Sequence, residues 1–123
     1  MRILVIDDDA AVREMISKML NSEGFEALTA ADGEQALRVI RSHSEIDLVI
    51  IDMIMPEKEG IETISELKRD FPHIKILAIS GGGKISADIY LRLAAQMGAD
   101  SALKKPFVKQ EMINAIQAVF KQD

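Results

Sequence analysis

Cysteine is absent from the 123 residues, which excludes disulfides and thiol chemistry. Lys and Arg never run beyond a pair and the net charge is −5, so direct nucleic-acid binding is not expected. No apolar run approaches membrane-spanning length, and the opening MRILVIDDD meets three acids too soon for a signal peptide. There is no linker, repeat or low-complexity tract, and nothing is left over for a second domain. The expectation is one domain over residues 1–123, cytoplasmic, with no output domain and no membrane contact. Aromatics are few and methionines number seven, which suits a helix-rich α/β protein with methionine as core filling.

What is present is organised around IDLVIIDMIMP at 46–56. Leu48, Val49, Ile50 and Ile51 form an unbroken apolar run, as in a strand covered on both faces of a parallel sheet. Pro56 disfavours helix just before it, so the strand ends near Asp52 and a loop follows. Asp52 then stands at the carboxyl end of a central strand, the edge where open α/β sheets bind ligands. Further strands are read at 2–7, 25–30, 74–80 and 101–104.

Helices alternate with them. Asp9 is the expected N-cap of the first, whose inner face is Val12, Met15, Ile16, Met19 and Leu20, with Gly24 as its stop. Asp32 and Gln35 have capping-box spacing for the second, which buries Ala36, Leu37 and Ile40. Ile61, Ile64, Leu67 and Phe71 line the third, closed by Pro72. Ile85, Ile89, Leu93 and Met97 are read as the inner stripe of the fourth, leaving Tyr90 and Leu91 as candidates for a partner surface. Met112, Ile113, Ile116, Val119 and Phe120 are assigned to the buried face of the fifth. Five strand–helix pairs imply a parallel sheet with right-handed crossovers and helices on both faces.

In such a sheet Asp7 and Asp8, Asp52, Ser80 and Lys105 share one rim. Two carboxylates about 4 Å apart cost roughly 4 kcal/mol at an effective dielectric of about 20, so positive charge is needed there. Lys105 supplies part of it, and a divalent cation the rest. With oxygen ligands too few to enclose the ion, Mg²⁺ is the expected cofactor. Mg²⁺, a lysine and a hydroxyl form a clamp for a transferring phosphoryl group, with a carboxylate as nucleophile and an aspartyl phosphate as product.

IDDDAAVR, DMIMP, AIS and KPF, in that order, resemble the receiver domain of two-component response regulators over essentially the whole chain. The resemblance implies a flavodoxin-like (βα)5 three-layer sandwich with parallel strand order 2-1-3-4-5. It implies a signalling phosphoprotein of a phosphorelay rather than an enzyme. Asp52 would accept a phosphoryl group from a histidine kinase, and the chain would pass the signal by protein contact or relay the phosphate to a histidine phosphotransfer protein. Asp8 and Asp52 would hold Mg²⁺ directly, Asp7 mainly through water, and the carbonyl of Ile54 would complete the protein ligands. Ser80 and the amide of Gly81 would bind the phosphoryl oxygens, Lys105 would pair with them, and Lys105-Pro106 would be cis. A downstream target protein would read the change.

Two departures stand out. Ala102 occupies the position of the family's usual inward-turning aromatic. The segment from Ser80 to Lys105 is longer than usual through its glycine run, for which a mobile loop at 81–84 is expected. The rival from another class is a Mg²⁺-dependent phosphohydrolase of the haloacid-dehalogenase kind, with Asp7 and Asp9 on the first strand; Ala11 breaks its motif and Asp52 goes unused. A third reading is a receiver-like interaction module that is never phosphorylated. GGGK at 81–84 fails the phosphate-loop pattern at Ala78 and Ile85, Lys104 is read as a solvated charge, and His43 and His73 as solvated loop residues.

Overall fold

The computed structural model describes residues 1–43, 45–53, 60–81 and 87–121, with the side chains of 87, 90 and 91 excepted. Strands and helices alternate: β1 (Arg2–Ile6), α1 (Ala10–Ser22), β2 (Glu26–Ala30), α2 (Gly33–Ser42), β3 (Leu48–Asp52), α3 (Gly60–Asp70), β4 (Lys75–Ser80), α4 (Ala87–Gln96), β5 (Ser101–Lys104) and α5 (Lys109–Phe120). All four strand pairings are parallel, in the order β2-β1-β3-β4-β5. This is the expected flavodoxin-like (βα)5 sandwich.

Period-two alternation splits the core into two layers. Ile3, Val5, Leu48, Ile50, Leu77 and Ile79 face Ile16 and Leu20 of α1 and Met112, Ile116 and Val119 of α5. Leu4, Ile6, Val49, Ile51, Ile76 and Ala78 face Ala36 and Ile40 of α2, Ile64 and Leu67 of α3 and Ala94 of α4. Every residue of β3 is buried, so the continuous apolar run is the signature of a strand covered on both sides.

The capping expectations hold. Asp9 accepts from the amides of Ala11 and Val12, and Asp32 from that of Gln35. The Gln35 side chain returns its bond to the amide of Ala31 rather than to that of Asp32. Gly24 follows α1 with φ +85°, the left-handed conformation suited to a helix stop.

Three burial expectations need correction. Ile89, Leu93 and Met97 are not the inner face of α4: they are 49%, 38% and 38% exposed, while Ala94 is fully buried. One residue along a helix is about 100° around it, and the small Ala94 lets α4 lie close over β4 and β5. Met15 and Phe120 are likewise exposed, each at the margin of a stripe whose centre (Ile16 and Leu20; Ile116 and Val119) is buried. Tyr90 and Leu91, as side chains, lie outside the described residues, as does most of the glycine run.

Candidate functional site

The carboxyl ends of β1, β3, β4 and β5 meet at one rim, because in-register parallel pairing stops all four at the same level. Asp7 follows β1 and is 1% exposed. Its amide donates to the Ala30 carbonyl at 3.2 Å. Its carboxylate accepts from the Asp9 amide at 2.9 Å. Its own carbonyl accepts from Nη1 of Arg13 at 2.7 Å, so a guanidinium pins the acidic turn from α1. Asp8 is exposed, and Asp52, the last residue of β3, is 6% exposed.

Lys105 comes just after β5, its amide donating to the Ser80 carbonyl at 2.9 Å. Its Nζ lies 3.1 Å from Oδ2 of Asp7 and 3.4 Å from Oδ2 of Asp52. Burial works against the ammonium, yet the charges of Asp52 and Asp7 outweigh it and hold its pKa above the ordinary lysine value. The Lys105-Pro106 bond is cis, as expected.

Carboxylate oxygens of Asp7, Asp8 and Asp52 lie within 4.8 Å of one another, two of the three groups buried. One lysine cannot balance three such charges at that spacing. An all-oxygen set of this size suits Mg²⁺, which keeps several waters. The expected carbonyl ligand, Ile54, lies outside the described residues.

Ser80 closes β4 with its Oγ fully buried and without a hydrogen-bond partner among the described residues. Ser17 and Thr63 share that condition but sit within helices, whereas Ser80 ends a strand at the acidic rim. A buried hydroxyl left unbonded costs about 1–3 kcal/mol, which an oxygen-rich ligand would recover. Gly81 borders a recess of about 420 Å³ with Val12, Met15, Lys105, Pro106 and Phe107. A slightly larger recess, about 460 Å³, lies at the opposite rim around Arg2, Glu26 and Asp47, where Arg2 is already paired.

The rim thus gathers Asp7, Asp8, Asp52, Ser80, Gly81 and Lys105. Residues set aside in the sequence stay aside: Asp9 caps α1, Lys104 pairs with Asp88 at 2.9 Å on the surface, and His43 and His73 are exposed. Ala102 is exposed on β5 in register with Ala78. Two contributors were missed. Arg13 was read only as a letter of IDDDAAVR, and Gly60 gave no local signal, since its contact is made across the fold. Gly81 was assigned for its amide, not for the space beside it.

Comparison with known proteins gives a consistent picture. The model of the response regulator receiver domain family matches residues 3–117. Transcriptional regulatory protein CpxR of Klebsiella pneumoniae is 35% identical over 121 residues, covering 98% of this chain and 50% of the relative. Response regulator MprA of Mycolicibacterium vanbaalenii is 33% identical, covering 98% and 51%. The chain therefore spans about half the length of the curated relatives it matches. Among solved structures, the receiver domain of NtrX from Brucella abortus superposes with a TM-score of 0.89 at 28% identity, covering 98% of this chain and 99% of that one. A receiver domain protein from Clostridium thermocellum gives 0.86 at 33% identity, covering 98% and 94%.

Proposed function

The chain belongs to the receiver domain family of two-component response regulators, and from that premise we propose that Asp52 is its phosphoacceptor. One observation carries the reading: the Lys105 ammonium bridges Asp7 and Asp52 at 3.1 and 3.4 Å, on the rim where the Ser80 hydroxyl, unbonded among the described residues, ends β4. The donor would be the phosphohistidine of a histidine kinase or of a histidine phosphotransfer protein. A carboxylate oxygen of Asp52 attacks phosphorus, a P–O bond forms, the P–N bond breaks, and the imidazole leaves with the bonding pair. Lys105 pairs with charge on the phosphoryl oxygens, and Ser80 Oγ donates a hydrogen bond to one of them.

Asp7, Asp8 and Asp52, with the carbonyl of Ile54, would hold Mg²⁺. Bound there, the ion would neutralise the crowded carboxylates and share a phosphoryl oxygen. We read residues 1–123 as one receiver unit acting in the cytoplasm, and a signalling protein rather than an enzyme. Among the described residues no helix is long and apolar enough to cross a membrane. A net charge of −5 without a basic run favours a protein as the direct downstream contact over nucleic acid. Phosphorylation acts as a population shift, so the phosphorylated rim must favour one conformer. With Ala102 exposed where an aromatic would turn inward, that shift has to travel by other side chains.

The phosphohydrolase reading loses its second acid, because Asp9 is engaged as the cap of α1. A small phosphodonor such as phosphoramidate, with Mg²⁺, decides between the readings. Label should appear in the peptide containing Asp52 and vanish in Asp52→Ala. Label lost in Asp7→Ala but kept in Asp52→Ala would favour a hydrolase. Failure of Mg²⁺ to bind at millimolar concentration would favour a module that is never phosphorylated.

A further inference from the structure

We propose that the bare backbone of Gly81 positions Lys105, setting where the root of that side chain lies and hence where its ammonium meets the phosphoryl group. The inference rests on Asp52 being the phosphoacceptor and adds a residue to that reaction.

Gly81, the residue after β4, and Lys105, the residue after β5, touch here with no side chain between them. A Cβ on Gly81 would overlap the Cβ of Lys105, and would lie 3.0 Å from its carbonyl oxygen and 3.1 Å from its Cα. These are the root and main chain of Lys105, not its flexible tip, so rotating the far end relieves nothing. Both ends of the lysine are also held. Its amide is bonded to the Ser80 carbonyl, and its Nζ lies between Asp7 and Asp52. Pushing the root away from residue 81 must therefore be taken up by the stem between two held ends, or by a longer bond at one of them.

Conformation does not explain the glycine. Gly24 and Gly98 are the described glycines with positive φ, and Gly81 is not among them. An alanine could adopt the backbone angles; what it lacks is space. Gly81 also borders the recess with Met15 and Phe107, so a methyl group there could act instead by narrowing the approach of a donor. The two roles predict different kinetics.

The test is Gly81→Ala in the 123-residue chain, labelled with phosphoramidate and Mg²⁺ and followed by intact mass. A misplaced lysine lowers the rate at saturating donor by about tenfold or more and leaves the half-saturating concentration within about twofold. An unchanged saturating rate overturns the proposal; with a raised half-saturating concentration it makes Gly81 an entry gap. In a Lys105→Ala background, Gly81→Ala should have no further effect, and multiplying losses would overturn the proposal. If Gly81→Ala does not fold, the unmodified chain still decides. Nuclear Overhauser contacts between Gly81 Hα and Lys105 Hβ are expected, and their absence overturns it. An unlabelled unmodified chain would instead sink the phosphoacceptor reading beneath it.

Discussion

Gly60 lies against the main-chain carbonyl of Asp52: a Cβ on the first residue of α3 would come within 2.6 Å of that oxygen. The Gly60 amide also donates to the Met53 carbonyl at 3.2 Å. The helix start is thus pressed onto the strand end that carries the acceptor, backbone to backbone. In Gly60→Ala, overpacking should cost about 1–3 kcal/mol, more than the about 0.5–1 kcal/mol that alanine gains over glycine inside a helix. Net destabilisation in urea unfolding is expected, together with slower labelling of Asp52. A more stable variant would show that the contact yields freely.

Removing the shared ammonium should expose the repulsion it now offsets. Lys105→Met is expected to lose about 2–3 kcal/mol without divalent ions, somewhat below the loss for breaking a fully buried pair. Mg²⁺ at about a hundredfold above its Kd adds about 2.7 kcal/mol by mass action, restoring most of that loss. Asp8→Asn should abolish the Mg²⁺ response in either background. Thermal melts with and without Mg²⁺ measure all four cases. A response that survives Asp8→Asn would remove Asp8 from the metal set.

The same lysine sets a pH dependence. Its pKa in the folded chain is raised above the ordinary 10.5 because Asp52 and Asp7 outweigh burial, so the native state holds the proton more tightly than the unfolded chain does. That contribution is complete below about pH 10.5 and is lost as pH climbs through the folded value. The stability gap between the unmodified chain and Lys105→Met should be flat from about pH 7 to 9 and shrink at higher alkalinity. A gap that widens there would reverse the sign of the interaction.

Asp100 should matter more than its ion pair suggests. Its Oδ2 accepts from Nζ of Lys68 at 3.1 Å and from the Ile76 amide at 2.9 Å, with the side chain 17% exposed. Asp100→Ala leaves the β4 amide without its acceptor, at about 1–3 kcal/mol. Lys68→Met removes only a partly exposed ion pair, worth about 1 kcal/mol or less. Equal losses in equilibrium denaturation would mean the amide bond contributes nothing.

The parts of this molecule that were readable in the chain are those where local chemistry and position coincide. A β-branched run ending in Asp52, acids directly after β1, and a hydroxyl and a lysine ending β4 and β5 needed only parallel pairing to converge. Asp9 and Asp32 were readable as caps because capping is local. The outward side of α4 was not. Periodicity shows that Ile89, Leu93 and Met97 share a side, but the direction of the sheet is set by neighbours that the periodicity does not contain. Gly60, and the space at Gly81 as distinct from its amide, were silent for a related reason. Their value is an empty volume, defined by atoms of Asp52 and Lys105 that arrive from elsewhere in the sequence.

Along β3 the alternate residues Leu48 and Ile50 serve one helical layer, and Val49 and Ile51 the other. All four are aliphatic, so an inserted or deleted codon within this strand would trade their places and still leave both sides greasy. The carboxylate would not be so forgiving: one step along a strand is about 3.3 Å, as much as the whole gap between it and the ammonium. The tally of residues in β3 therefore works as a ruler, and it is the acid at the tip, more than the oil behind it, that makes the tally matter.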